Sequence, residues 1–168
     1  NGTAAIVEFP GVLYRGGAEQ KIRKYLVDNN YIDAVILLPP DLFFGTGIQT
    51  AILVLKKSKS DNKVLFINAE AEFGRESTKN ILRPEDRAKI LETFKSRESI
   101  DYYSRLVDHS EIAENDYMLS VTTYVQAEDT REEIDIKALN AEIKEIVARQ
   151  ATLRAQIDEI VADLEGEN

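Results

Sequence analysis

The chain has 168 residues, 43% hydrophobic and 30% charged, which suits one domain with a real core or a small domain plus an extension. It has no Cys and one His, His109, so disulfides, iron–sulfur clusters, a Cys nucleophile and multi-His or thiolate metal sites are excluded, and no metal is expected. A Ser/His/Asp hydrolase would depend on that single imidazole. No apolar run approaches the ~20 residues of a membrane span, and no basic-then-apolar leader opens the chain. The chain opens on Asn1, not Met, and its first apolar run starts almost at once, which reads as a cut from something longer. The net charge of −9 is uneven: +2 over residues 1–60, −6 over 61–130 and −5 over 131–168. A free-standing nucleic-acid binder is normally basic. Contact with DNA is therefore expected only locally, through the first third.

In chain order, Thr3–Phe9 (TAAIVEF) is a short apolar run, predicted to be a strand buried on both faces, and Pro10-Gly11 end it. Arg15-Gly16-Gly17 is a flexible loop. Over Ala18–Asn29 the residues Ala18, Ile22, Tyr25 and Leu26 fall at helical intervals, which predicts an amphipathic helix. Ile32–Leu38 is a second buried strand, stopped by Pro39-Pro40, and the strand–helix–strand succession favours a parallel crossover. The loop PDLFFGTG leads to a third strand, Ile48–Leu55, too close behind the second for a crossover helix, so the two should pair antiparallel. Lys63–Ile67 is a fourth strand. Arg75–Asn80 reads as a mobile loop. Pro84 opens a helix to about Lys95, with Ala88, Ile90, Leu91 and Phe94 inward. Ile100–Val107 is predicted as a short helix, and Ser110 as the cap of another through Ile112. Met118–Val125 is predicted extended and Ala127–Glu133 a charged linker.

The last 33 residues stand apart. Ile136, Leu139, Ile143, Ile146, Gln150, Leu153, Ile157, Ile160 and Leu164 follow 3-4 spacing, and eight of these nine heptad positions are apolar. Val147 and Val161 widen the stripe, as in a bundle of several helices. A helix of some 30 residues spans roughly 45 Å, longer than the small α/β domain beside it, so much of the stripe needs another chain. Packing on its own domain is the competing reading. Gln150 at an a position suits a register or partner-choice device. The outward face is acidic, so no membrane surface is expected as a partner.

A self-contained active site is not found. There is no GxGxxG and no P-loop lysine. Gly45-Thr46-Gly47 reads as a tight turn more than a phosphate loop, and Glu70 and Glu72 as solvated charges more than catalytic bases. His109 lies between Asp108 and Ser110 in an acidic stretch and reads as a surface or capping residue. Phe43 and Phe44 are more suggestive. One of them plugs the sheet end, or an exposed one offers a flat π surface for stacking on a base.

The blocks IVEFPGVLYRGGAEQKIRKYL, AVILLPPDLFFGTGIQTAILVLKK, VLFINA and ENDYMLSVTTYV, in that order, resemble the modification (methyltransferase) subunit of type I restriction–modification systems. The resemblance is collinear over residues 2 to about 125, and the family also carries a terminal helix. It implies an N6-adenine DNA methyltransferase that uses S-adenosylmethionine. The implied fold is α/β, the C-terminal portion of a Rossmann-like sheet with an antiparallel final strand, a helical region and a long C-terminal helix. The family's glycine-rich cofactor motif and its Asn-Pro-Pro-aromatic motif are not in this sequence, since Pro39-Pro40 follows Leu37-Leu38 and lacks the Asn. No catalytic residue is therefore expected here, the cofactor is expected to be bound mainly by an upstream part, and the isolated chain is expected to be inactive.

The resemblance matches Phe44, with Phe43 as fallback, to the aromatic that stacks on the target base. It matches the loop Tyr14–Gly17, with Arg15, Gly16 and Gly17, to a region facing DNA. It matches the terminal helix to the segment that docks on the specificity subunit. Residues 1–70 are then the distal half of the methyltransferase domain, 71–130 a connector and 131–168 the partner helix. DNA, the specificity subunit and, in the full complex, the restriction subunit are the implied partners, in the cytoplasm of a bacterium or archaeon. Self-association through the helix is also expected. The alternatives are a non-catalytic assembly module, or an unrelated small α/β protein with a coiled-coil tail.

Overall fold

The computed structural model describes residues 2–126 and 136–166. These comprise β1 (Thr3–Glu8), α1 (Gly11–Tyr14), α2 (Ala18–Asp28), β2 (Ile32–Leu37), β3 (Ala51–Lys56), β4 (Lys63–Asn68), β5 (Gly74–Glu76), β6 (Lys79–Ile81), α3 (Pro84–Ser96), β7 (Ser104–Asp108), α4 (His109–Glu114), α5 (Val121–Tyr124) and α6 (Ile136–Gly166). They fall into two units, residues 1–128 and 129–168. The linker expected over Ala127–Glu133 lies outside the described residues.

The first unit is built on a mixed five-stranded sheet in the order β1-β3-β2-β4-β7. β2 is its central strand, and every residue of its IDAVIL run is buried. Such a run suits a strand covered on both faces. Alternate side chains enter two cores. Val35, Leu37, Val64 and Phe66 join Leu13, Val27, Ile112 and Val121 on one face. Ala34, Ile36, Leu65 and Ile67 join Ile90 and Tyr103 on the other. Asp33 is the exception in β2. It sits where the β2–β3 register shifts, and Arg97 donates to its carboxylate at 3.0 Å. A buried carboxylate is tolerable when paired and hydrogen-bonded in this way.

β2 and β3 pair antiparallel, as their short connection requires, while β2 and β4 pair parallel. β1 also pairs antiparallel with β3. β1 and β2 therefore run parallel as expected, but β3 is inserted between them.

Several local expectations are corrected. β1 is an edge strand and mostly exposed, with Val7 at 51%, because only β3 pairs with it among the described residues. An apolar run alone does not tell an edge from a centre. α2 is rotated from its predicted face: Ile22 and Tyr25 are exposed, and Arg23 and Val27 point inward. Residues 75–80 form the β5–β6 hairpin and not a mobile loop. Within the predicted helix over Ile100–Val107, residues from Ser104 onward instead form strand β7, antiparallel to β4, with the neighbours Leu106 and Val107 packing in the two different cores. Met118–Val125 contains the helical turn α5. The cap of α4 is Asp108, whose carboxylate accepts from the Ser110 N–H at 3.2 Å. Pro84 does open α3, where the Asp86 carboxylate accepts from the Arg83 N–H at 2.9 Å.

The second unit is α6, a single helix of 31 residues, about 46 Å long at 1.5 Å per residue. Its stripe residues from Ile136 to Leu164 are exposed, Gln150 included.

Candidate functional site

The C-terminal ends of β1 and β2 and the start of β3 lie together, because Ala51 pairs with both Glu8 and Leu37. Ligands of open α/β sheets usually bind at such carboxyl ends. The segment from Leu38 to Thr50 leaves the sheet here. It is pinned at its base by the Leu38 N–H donating to the Thr50 carbonyl at 2.9 Å. Gly45 takes a positive φ of 76°, a conformation that favours glycine. The Thr46 hydroxyl accepts from the Ile48 N–H at 3.1 Å and closes the far turn.

The two aromatic candidates are placed differently. Phe44 is 98% exposed at the tip of this loop. Phe43 is half-exposed and, with Val7, Glu8, Phe9, Thr46 and Thr50, lines a cavity of about 280 Å³. Phe43 thus lies against the end of the sheet, and Phe44 does not. Thr50 is only 5% exposed, and its hydroxyl has no hydrogen-bond partner among the described residues. Beside it, Glu70 at the exit of β4 accepts from the Gln49 amide at 3.2 Å and the Asn68 amide at 3.5 Å.

The Arg15-Gly16-Gly17 loop is also exposed. Its order comes from Arg23, which is 5% exposed. The Arg23 guanidinium donates to the carbonyls of Tyr117, Val12 and Arg15 at 2.8, 2.9 and 2.7 Å. Burial lowers the Arg23 pKa, and Glu19 works against that. The Arg15 side chain itself folds back over α1, so a Cβ on Gly11 would stand 2.9 Å from its guanidinium carbon. On α2, Lys24 donates to the Tyr117 hydroxyl and pairs with Asp28 at 3.0 Å, and both contacts raise its pKa.

On α6 the stripe residues Ile146, Leu153 and Ile157 flank Gln150, and Arg149 and Arg154 border the same shallow groove. Among the described residues no helix is long and apolar enough to cross a membrane. No group of three or more metal-binding side chains gathers among them either.

Some contributors to the loop were not legible from sequence. Asn80 and Lys79 lie in a polar stretch that reads as loop, and Arg23 reads as one of three basic residues on a helix surface. Their roles depend on partners far away in the chain. No spacing rule signals such contacts.

Residues 1–133 match the family described as N-6 DNA Methylase. The chain belongs to this family. Within it, the chain is a portion of a type I restriction–modification methylase subunit. It is 48% identical to the type I restriction enzyme MpnII methylase subunit of Mycoplasma pneumoniae, over 97% of this chain and 30% of that protein. It is 38% identical to the MjaVII methylase subunit of Methanocaldococcus jannaschii, over 96% of this chain and 28% of that protein. Among solved structures, a type I restriction–modification methyltransferase subunit from Streptococcus thermophilus superposes with a TM-score of 0.73 at 45% identity. That match covers 76% of this chain and 27% of the other. The chain thus spans about 30% of the length of the curated relatives it matches. Its mixed sheet followed by a long helix fits the N-6 DNA methylase fold, and the resemblance read from the ordered sequence blocks is correct.

Proposed function

We propose that this chain supplies the target-base side and the docking arm of a type I DNA adenine-N6 methyltransferase subunit. In this reading the five-stranded sheet is the distal portion of the methyltransferase sheet, with β3 as its antiparallel strand. The observation that carries the reading is Phe44. A ring that is 98% exposed is costly to leave in water. Here it stands on a tethered loop at the carboxyl end of a sheet of this family. An exposed, held aromatic offers a π face to a base that has been turned out of the duplex. Phe43 faces the neighbouring cavity and is the secondary candidate. The loop at Arg15, Gly16 and Gly17 faces DNA in this reading, with Arg23 keeping its backbone in place.

S-adenosylmethionine is the methyl donor in this reading, and the residues present do not form its seat. Glu70 is engaged by Gln49 and Asn68. The glycines at 45 and 47 lie in the β2–β3 connection, and those at 16–17 between α1 and α2, so none sits at a strand-to-helix turn. No step of methyl transfer is therefore assigned to this chain, which is expected to be inactive alone. The α6 stripe, from Ile136, Leu139, Ile143 and Ile146 through Gln150 to Leu153, Ile157, Ile160 and Leu164, docks on a helix of the specificity subunit. Eight exposed apolar residues on one stripe support this, and without that partner the same stripe favours self-association. The complex, including its restriction subunit, works in the cytoplasm.

The test is Phe44→Ala in the intact subunit. Methylation is expected to fall with little change in S-adenosylmethionine binding. Unchanged turnover removes Phe44 from the site.

A further inference from the structure

Phe44 is almost fully exposed, yet its loop is tied down by residues more than thirty positions later in the sequence. The ties come from the β5–β6 hairpin. Asn80 is 4% exposed; its side-chain amide donates to the Pro40 carbonyl at 2.8 Å, and its backbone N–H donates to the Asp41 carbonyl at 3.2 Å. Its Oδ1 accepts from the Arg75 guanidinium at 3.1 Å, and that guanidinium lies 3.9 Å from the Asp41 carboxylate. Next to it, the Lys79 ammonium donates to the Phe43 carbonyl at 2.6 Å. The same ammonium stands 5.7 Å from the centre of the Phe44 ring, within the range of a cation–π attraction.

Two adjacent hairpin residues therefore hold the two ends of one lever: Asn80 its base at Pro40–Asp41, Lys79 its tip at Phe43–Phe44. The loop needs such help. Asp41 has a φ of 57°, a region disfavoured for a residue with a Cβ. A segment in that conformation persists only where its surroundings over-determine it. The ties are aimed at backbone carbonyls, so they fix the chain path and not only a side chain. The Lys79 ammonium stands over one face of the Phe44 ring without covering it, and the opposite face is open to a base.

We propose that Lys79 and Asn80 are positioning residues for Phe44, and that the β5–β6 hairpin is the latch that presents the ring as a fixed platform. This rests on the base-stacking role of Phe44 argued above. A platform fixed in advance lowers the ordering cost when the base arrives and keeps the base aligned for reaction.

The test uses the intact methylase subunit assembled with its specificity subunit and DNA. Four variants are compared: Lys79→Met, Lys79→Arg, Asn80→Ala and Phe44→Ala. Hydrogen exchange is read by mass spectrometry over residues 39–48. Methylation is read as kcat and as the KM for S-adenosylmethionine, and 2-aminopurine emission at the target position reports whether the base is held. In Lys79→Met and Asn80→Ala, loop exchange is expected to rise about tenfold, the change that follows from one lost hydrogen bond. β2 and β3 should keep their protection. The kcat should fall with that KM unchanged, and the 2-aminopurine signal should change as it does in Phe44→Ala. Lys79→Arg, which keeps the donor and the charge, should restore the loop and the rate. Lys79 is only half-buried, so Lys79→Met decides the matter if Asn80→Ala misfolds. Full activity or unchanged loop exchange in the Lys79→Met subunit overturns the latch. Lost methylation in Phe44→Ala alone overturns the latch but spares the stacking role; full methylation in Phe44→Ala overturns both.

Discussion

Arg23 gives the most direct energetic test of this fold. Its guanidinium is the shared donor for three backbone carbonyls from three segments: α1 at Val12, the following loop at Arg15, and the turn before α5 at Tyr117. Arg23→Met keeps much of the aliphatic stem and removes all three bonds. A carbonyl stranded without its donor costs ~1–3 kcal/mol when water cannot reach it. The Arg15 carbonyl lies in an exposed loop and can rehydrate, whereas Val12 and Tyr117 are each half-buried. Two stranded groups at the middle of that range give a loss of about 4 kcal/mol. That is a large share of the ~5–15 kcal/mol total typical of a folded protein, and it lowers Tm by roughly 10 °C. Arg23→Lys, with one ammonium in place of a planar fork, should recover only part of the loss. Urea unfolding followed by circular dichroism measures both variants on this chain. A loss below about 1 kcal/mol for Arg23→Met would refute the reasoning, because it would mean that water substitutes for the guanidinium at every carbonyl.

The isolated chain is expected to show no methyl transfer and weak or no affinity for S-adenosylmethionine; tight, saturable binding in calorimetry would contradict that. Ile146→Asp or Ile157→Asp should weaken binding to the specificity subunit by about 3 kcal/mol, roughly a hundredfold in Kd, while the α/β unit stays folded. An unchanged pull-down would exclude the helix from that role. His109 should make stability depend on pH. Burial lowers its pKa from 6.5, with Lys59 adding to the shift and Asp108, Asp61 and Asp28 opposing it. The unfolded chain thus binds the proton more readily, so the His109 contribution is complete above about 6.5 and is lost as pH falls toward the lower folded value. Asp108 is also lowered, by the Ser110 N–H and hydroxyl, but its window lies below the ordinary carboxylate value of 3.8. His109→Gln should therefore flatten the urea midpoint between about pH 7 and about pH 5, and an unflattened profile would reassign the dependence to another group.

The parts of the fold that were legible are those where local signals agree with the packing. β2 reads correctly because the central position demands the apolar run it has, interrupted only by the paired Asp33. α3 reads correctly in its extent because Pro84 marks its first turn, but only half of its predicted inner face holds: Ile90 is buried and Phe94 half-buried, while Ala88 and Leu91 are exposed and Asp86 and Thr93 turn inward instead. The readings that went astray share one cause. β1, α2 and β7 each carry an apolar pattern whose partner is decided elsewhere in the chain. β1 has the composition of a core strand but stands at an edge. Ile22 and Tyr25 fit a helical stripe, yet the Arg23 guanidinium turns the helix away from it, because three carbonyls outweigh the partial burial of two side chains. Ile100–Val107 reads as a short helix, and pairing with β4 draws Ser104–Asp108 into the sheet instead.

The candidate site divides in the same way. The loop of Phe43 and Phe44 was legible as a candidate because it is bounded by Pro and Gly between two strands, but the sequence leaves open which ring is exposed, and the fold decides it. What holds the loop was not legible. A Lys-Asn pair in a polar segment carries no local signature, and its meaning comes from a hairpin that brings it against Pro40, Asp41 and Phe43. Exposure alone would make Phe44 a hydrophobic liability; the four hydrogen bonds or ion contacts on its loop are what support the proposed stacking role. If the latch is cut and the ring keeps its function, the liability explanation is restored.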